Sequence, residues 1–106
     1  MKLTNREWHT MCHVLDTRSY RYSDNDDTNS DEYRIFTNLQ KRITTSKENS
    51  TQRYTKEQKA YLIQMLEDFM YYNVGNGYNE DDVPYLLSML YKLTGINYEN
   101  PLEIVV

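Results

Sequence analysis

With 106 residues, 39% of them hydrophobic and 26% charged, the chain has the make-up of one small globular domain and too little apolar sequence for two independent cores. No apolar run approaches the roughly 20 residues that would span a bilayer, and Met1 to Glu7 lacks the apolar stretch of a secretion signal, so a cytoplasmic protein without membrane contact is expected. Cys12 is the single cysteine, which excludes an internal disulfide and a multi-cysteine zinc site.

The first predicted element opens at Thr4-x-x-Glu7, a capping box in which each side chain satisfies the other residue's backbone donor. Leu3 and Trp8 flank it as a hydrophobic staple would. Trp8, Met11, Cys12 and Leu15 recur at i, i+3, i+4 and i+7 and predict the buried stripe of a helix that fades near Tyr22. Ser23 to Ser30 reads as a polar, acidic loop. From Asp31 the spacing of Ile35, Phe36, Leu39 and Ile43 predicts a second helix to about Thr45.

Ser46 to Arg53 holds no apolar residue and reads as a linker. Thr55-x-x-Gln58 is a second capping box, and Leu62, Met65, Leu66 and Phe69 stripe a third helix that is expected to end with Gly75 as a left-handed cap. The fourth helix takes Pro84 in its first turn, carries Leu86, Met89, Leu90 and Leu93 as its stripe, and is expected to end in a Schellman motif at Gly95 and Ile96. The tail is apolar from Leu102 to Val106 and is expected to pack across the bundle or pair with another chain.

These elements predict an all-α fold, a four-helix assembly built from two αα-hairpins in a single domain over residues 1–106. Hairpin 1 covers about 3–45, the linker 46–53, hairpin 2 about 54–95 and the tail 96–106. An offset of 51 residues lays Thr4 on Thr55, Leu15 on Leu66, Asp31 on Asp82 and Leu39 on Leu90 without a gap. This register suits an internal duplication, or two amphipathic hairpins that share a pattern because capping and the helical period demand it.

Catalytic chemistry finds no support in the residues. His9, His13 and Asp16 share a flank of the first helix, but Thr10 stands where a zinc protease motif needs glutamate, so no metal is expected there. The acidic loop Asp24 to Ile35 fails the calcium-loop register, with Asn29 at the sixth position and Ile35 at the twelfth. Cys12, on the stripe, is expected to serve packing. The expectation is a protein that is no enzyme and binds no cofactor.

Two features point to interaction. Residues 1–60 hold eleven Lys/Arg against nine Asp/Glu, whereas residues 61–106 hold one against seven. Such a split is met internally, by docking one half on the other, or externally, by a charged partner. In the basic stretch, Arg34, Lys41, Arg42, Lys47, Arg53 and Lys56 are candidates for nucleic-acid contacts, although the net charge of −4 weighs against a dedicated nucleic-acid binder.

The second feature is eleven tyrosines beside two phenylalanines and one tryptophan. Tyr61, Tyr71, Tyr72, Tyr85 and Tyr91 lie on or beside the flanks of the third and fourth helices, off the predicted core stripes, as contact residues of a protein interface do. In size, tyrosine content and helical make-up, though in no diagnostic motif, the chain resembles short proteins of bacteriophages and mobile elements that inhibit or redirect a host protein. The expected function is a non-catalytic protein-binding module that acts by occlusion, with a nucleic-acid-binding accessory role as the alternative. Homo-oligomerisation is compatible with the same surfaces, and the sequence does not name the partner.

Overall fold

The computed structural model describes residues 1–46 and 51–103. Among them are four α-helices, α1 (Asn5–Asp24), α2 (Asp31–Thr45), α3 (Lys56–Tyr72) and α4 (Val83–Thr94), with one 3₁₀ turn at Glu80–Asp82 leading into α4. The fold is all-α, as the periodicity requires.

Both capping boxes form. Thr4 and Thr55 accept from the amides of Glu7 and Gln58, whose side chains accept in return from the amides of Thr4 and Thr55. The two caps sit at the expected offset of 51 and share their backbone conformation, φ −68°, ψ 167° at Thr4 and φ −65°, ψ 163° at Thr55. The following helices differ: α2 is capped by the Ser30 side chain, whereas Asp82, the cap residue of α4, makes no capping bond with its side chain.

All four helices contribute to one core cluster, in which Met11, Leu15, Leu39, Leu62, Leu66, Leu86 and Leu90 have no exposed surface. Phe36, Phe69 and Leu93 are buried with them, and Trp8 packs half-buried against the cluster while its Nε1 donates to the Ile43 carbonyl, 3.0 Å.

Three local expectations need correction. The buried arc of α1 runs through Glu7, Thr10, Met11, Val14, Leu15 and Tyr22, leaving Cys12 half-buried. The reason is α4, which packs on the Glu7 and Thr10 side of the stripe, with Ser88 and Asp82 as their partners, and so rotates the covered face. Tyr22, buried against Tyr33 and Phe36, also carries α1 on to Asp24.

At the other hairpin, α3 stops at Tyr72, so Gly75 does not cap it. Gly75 and Tyr78 exchange both backbone hydrogen bonds, 3.0 and 2.9 Å, around Asn76 and Gly77, both at positive φ. This is the tight reversal that such a residue pair favours. The end of α4 is the simpler αL type and not a Schellman motif. The Gly95 amide, at φ +74°, returns to the Tyr91 carbonyl, while the Ile96 amide goes to Thr94 Oγ1.

The predicted linker is tied down where it re-enters the described chain. Thr51 bridges Lys2, and the Gln52 amide donates to the Met1 carbonyl, 2.8 Å. The tail turns back over hairpin 2: Tyr98 packs against the core and its hydroxyl donates to Glu67 Oε1, 3.0 Å. Leu102 is exposed, and Ile104 to Val106 lie outside the described residues.

Candidate functional site

The five tyrosines singled out from the sequence do not form one patch. Tyr61 faces inward, half-buried, into a polar network that bridges α1, α2 and α3. There Arg18, only 10% exposed, donates through Nη1 to Asp68, 2.9 Å, through Nε to the Tyr61 hydroxyl, 3.3 Å, and through Nη2 to Glu32, 3.4 Å. The Tyr22 hydroxyl completes it by bonding both Glu32 and the Tyr61 hydroxyl. Burial, and then the Tyr61 hydroxyl, push the Tyr22 phenol above its ordinary range. Tyr85 is half-buried in the α1–α4 seam, with the Arg6 guanidinium 5.1 Å from its ring centre. These two tyrosines serve the fold.

Tyr72, 83% exposed, stands at the rim of a groove between α1 and α3 whose wall carries Arg18, Arg21 and Asp68 over a floor of Val14, Met65 and Phe69. Tyr71 and Tyr91 are 53% and 51% exposed on α3 and α4, the two helices that Tyr98 of the tail approaches. Burial raises the Tyr98 phenol pKa, with Glu67 and the nearby Tyr71 adding to the effect and Thr94 opposing it. Tyr98 is therefore in reach of α3, one turn from Glu67 to Tyr71, and of α4, one turn from Thr94 to Tyr91. The result is a face made of α3, the tail and α4. Apart from Tyr20, every exposed large apolar side chain among the described residues falls between Tyr71 and Leu102, with Ile96 and Leu102 supplied by the tail. Glu99 and Glu103 on that tail make no ion pair among the described residues.

The candidate cations also divide. Arg34 pairs with Asp31, 3.7 Å, two turns of α2 away from Arg42. Arg42 lies over the Tyr54 ring, 5.4 Å from its centre, and donates to Gln58 Oε1 at 3.5 Å. Arg53, Tyr54 and Lys59 line a hollow of about 350 Å³ together with Lys92 and Leu93. Lys56 is exposed in the first turn of α3, Lys41 is exposed on α2, and Lys47 lies outside the described residues. Lys92, absent from the sequence-based candidates, reaches this region from α4, where it bonds the Lys2 carbonyl and pairs with Glu7.

Among the described residues, only Arg18–Asp68 and Lys92–Glu7 join cations and acids across the two halves. Docking the halves together therefore leaves most of the charge asymmetry unneutralised. The two histidines are engaged separately: His9 stacks edge-on with Trp8, while His13 stacks on Phe69 and its Nε2 lies 3.2 Å from Asn79 Oδ1.

No protein-family model matches the chain, and no characterised protein or solved structure is significantly similar to it.

Proposed function

We propose that the protein is a non-catalytic binding module that occludes a surface of a protein partner through the face formed by α3, the tail and α4. The observation that carries this reading is the placement of Tyr71, Tyr91, Ile96 and Leu102 in solvent, outside a core that is already closed by the helix stripes. Tyrosine gives a large contact area with little conformational freedom to lose, and such residues dominate interface energetics when a partner buries them. The tail that carries Ile96 and Leu102 also carries the exposed Glu99 and Glu103, so a partner with an apolar centre and a basic rim suits it. A phage-type inhibitor or modulator of a host protein would act in this way.

The test is the double substitution Tyr71→Ala/Tyr91→Ala, made on the intact chain and compared with wild type in affinity for the captured partner and in thermal unfolding. Each buried interface tyrosine carries about 2 kcal/mol or more, so affinity should fall by roughly a hundredfold or more. Stability should move by less than about 0.5 kcal/mol, as for other exposed positions. Unchanged affinity, or a loss of binding that merely follows a loss of stability, rejects the face.

A further inference from the structure

We infer that the region where the Thr51–Thr55 segment meets α2, α3 and α4 is a second binding site, made for the phosphate backbone of a single nucleic-acid strand. Arg42, Arg53, Lys56 and Lys59 converge there from three segments of the chain, around the hollow that Tyr54 lines. None of the four makes an ion pair among the described residues. Of the acids on these segments, Glu57 is exposed beside Lys56, and Glu7, which reaches the region through Lys92, is buried and already satisfied by three donors.

The placement costs stability. Lys56 and Lys59 occupy the first turn of α3, next to the positive end of the helix dipole, where acids are the favourable choice. A protein that gathers cations against a helix dipole and against one another has arranged a field for an anion, and the first-turn amides left over by the capping box add to it. The half-buried Tyr54 ring lines the hollow beside Arg53 and Lys59, under the Arg42 guanidinium.

One phosphate cannot neutralise four cations carried on separate long side chains, whereas successive phosphates of a strand can. Flexible Lys and Arg side chains around one tyrosine ring suit a charged backbone with bases beside it better than the side chains of an acidic peptide. The site therefore holds nucleic acid without regard to sequence. It lies apart from the α3, tail and α4 face and stands or falls independently of the protein-binding reading.

The experiment measures fluorescence anisotropy of a labelled oligothymidylate, about 20 nucleotides long to exceed the roughly 4–16 nucleotide sites typical of single-strand binders, with the intact protein. Four phosphate contacts predict a log–log salt slope of about −3, so affinity should drop about fiftyfold between roughly 50 and 200 mM salt. Arg53→Glu/Lys59→Glu should weaken binding more than tenfold and flatten the slope by about 1.4, while Arg34→Gln changes affinity less than about twofold, since Arg34 is outside the cluster. Both reversals occupy exposed positions, and Arg53→Gln/Lys59→Gln serves as the neutral equivalent should the charge reversal unfold the protein. Absence of binding at low salt, an equal loss in Arg34→Gln, or binding untouched by both double substitutions overturns the inference. So does displacement of the strand by thymidine monophosphate at equal phosphate concentration, or by polyglutamate at equal charge.

Discussion

Removing the ammonium of Lys92 should turn Glu7 from a stabilising group into a destabilising one, and the change should be visible in pH dependence. Glu7 is 1% exposed. Its Oε1 accepts from the Thr4 amide, 2.8 Å, and from Lys92, and its Oε2 accepts from the Ser88 hydroxyl, 2.7 Å. Burial pushes its pKa up, but the hydrogen bond from Lys92, those from Thr4 and Ser88 and the Lys92 charge outweigh burial, so the net position is below the ordinary 4.5. A depressed carboxylate stabilises the fold above its unfolded pKa, and that contribution is lost as pH falls through the folded pKa. In Lys92→Met the largest lowering influence, the Lys92 hydrogen bond, vanishes together with the Lys92 charge, while burial remains opposed only by the Thr4 and Ser88 bonds, and the folded pKa is expected to rise above the unfolded one. The variant then carries a penalty at neutral pH that acidification relieves.

Removing one partner of a buried pair costs about 3–5 kcal/mol. Lys92 is about one-third exposed and water can partly replace it, so about 2–3 kcal/mol is expected, or roughly 8–20 °C in Tm. Circular dichroism melts of wild type and Lys92→Met from about pH 3 to pH 8, spanning the ordinary carboxylate range, give the stability gap directly, and other carboxylates cancel in the difference. The gap should be widest near neutrality and close toward the acid end, and Lys92→Arg should restore most of it. A gap independent of pH would refute the electrostatic argument and leave Lys92 a packing role.

Leu66→Ala, at a position with no exposed surface in the shared core, should cost about 2–5 kcal/mol in urea unfolding without a change of fold, and a cost near zero would remove Leu66 from the core. Arg18→Met should cost about 1–3 kcal/mol, less than a fully enclosed pair because the Asp68 and Glu32 side chains are 30% and 42% exposed and can rehydrate. The same unfolding measurement checks it, and an unchanged midpoint would show that the α1–α2–α3 network carries no net stability.

The parts of the fold that were legible in the sequence are those governed by local geometry. Thr4 with Glu7 and Thr55 with Gln58 act over three residues, and the stripes of α2, α3 and α4 follow from helical spacing alone, so caps, helices and most of the core could be read directly. What could not be read depends on how the helices meet. Glu7 announces a cap but not its pairing with Lys92, 85 positions along the chain. Tyr22 stands where the stripe of α1 fades, yet with Arg18 it joins Tyr61 and Asp68 in the interior because α3 crosses there. Tyr71 and Tyr72 are neighbours that a helix separates by roughly 100°, so one meets the tail and the other the α1–α3 groove.

The charge asymmetry is where sequence and structure together say more than either alone. Composition left open whether the basic and acidic halves neutralise each other, and geometry narrows the choice, since only Arg18–Asp68 and Lys92–Glu7 cross between them among the described residues. Unpaired like charges repel and cost stability. On the readings proposed above, Arg42, Arg53, Lys56 and Lys59 gain when an anion is bound, and the tyrosine-bearing face of hairpin 2 gains when a partner covers it; both surfaces lie outside the shared core, so each can be filled without disturbing it.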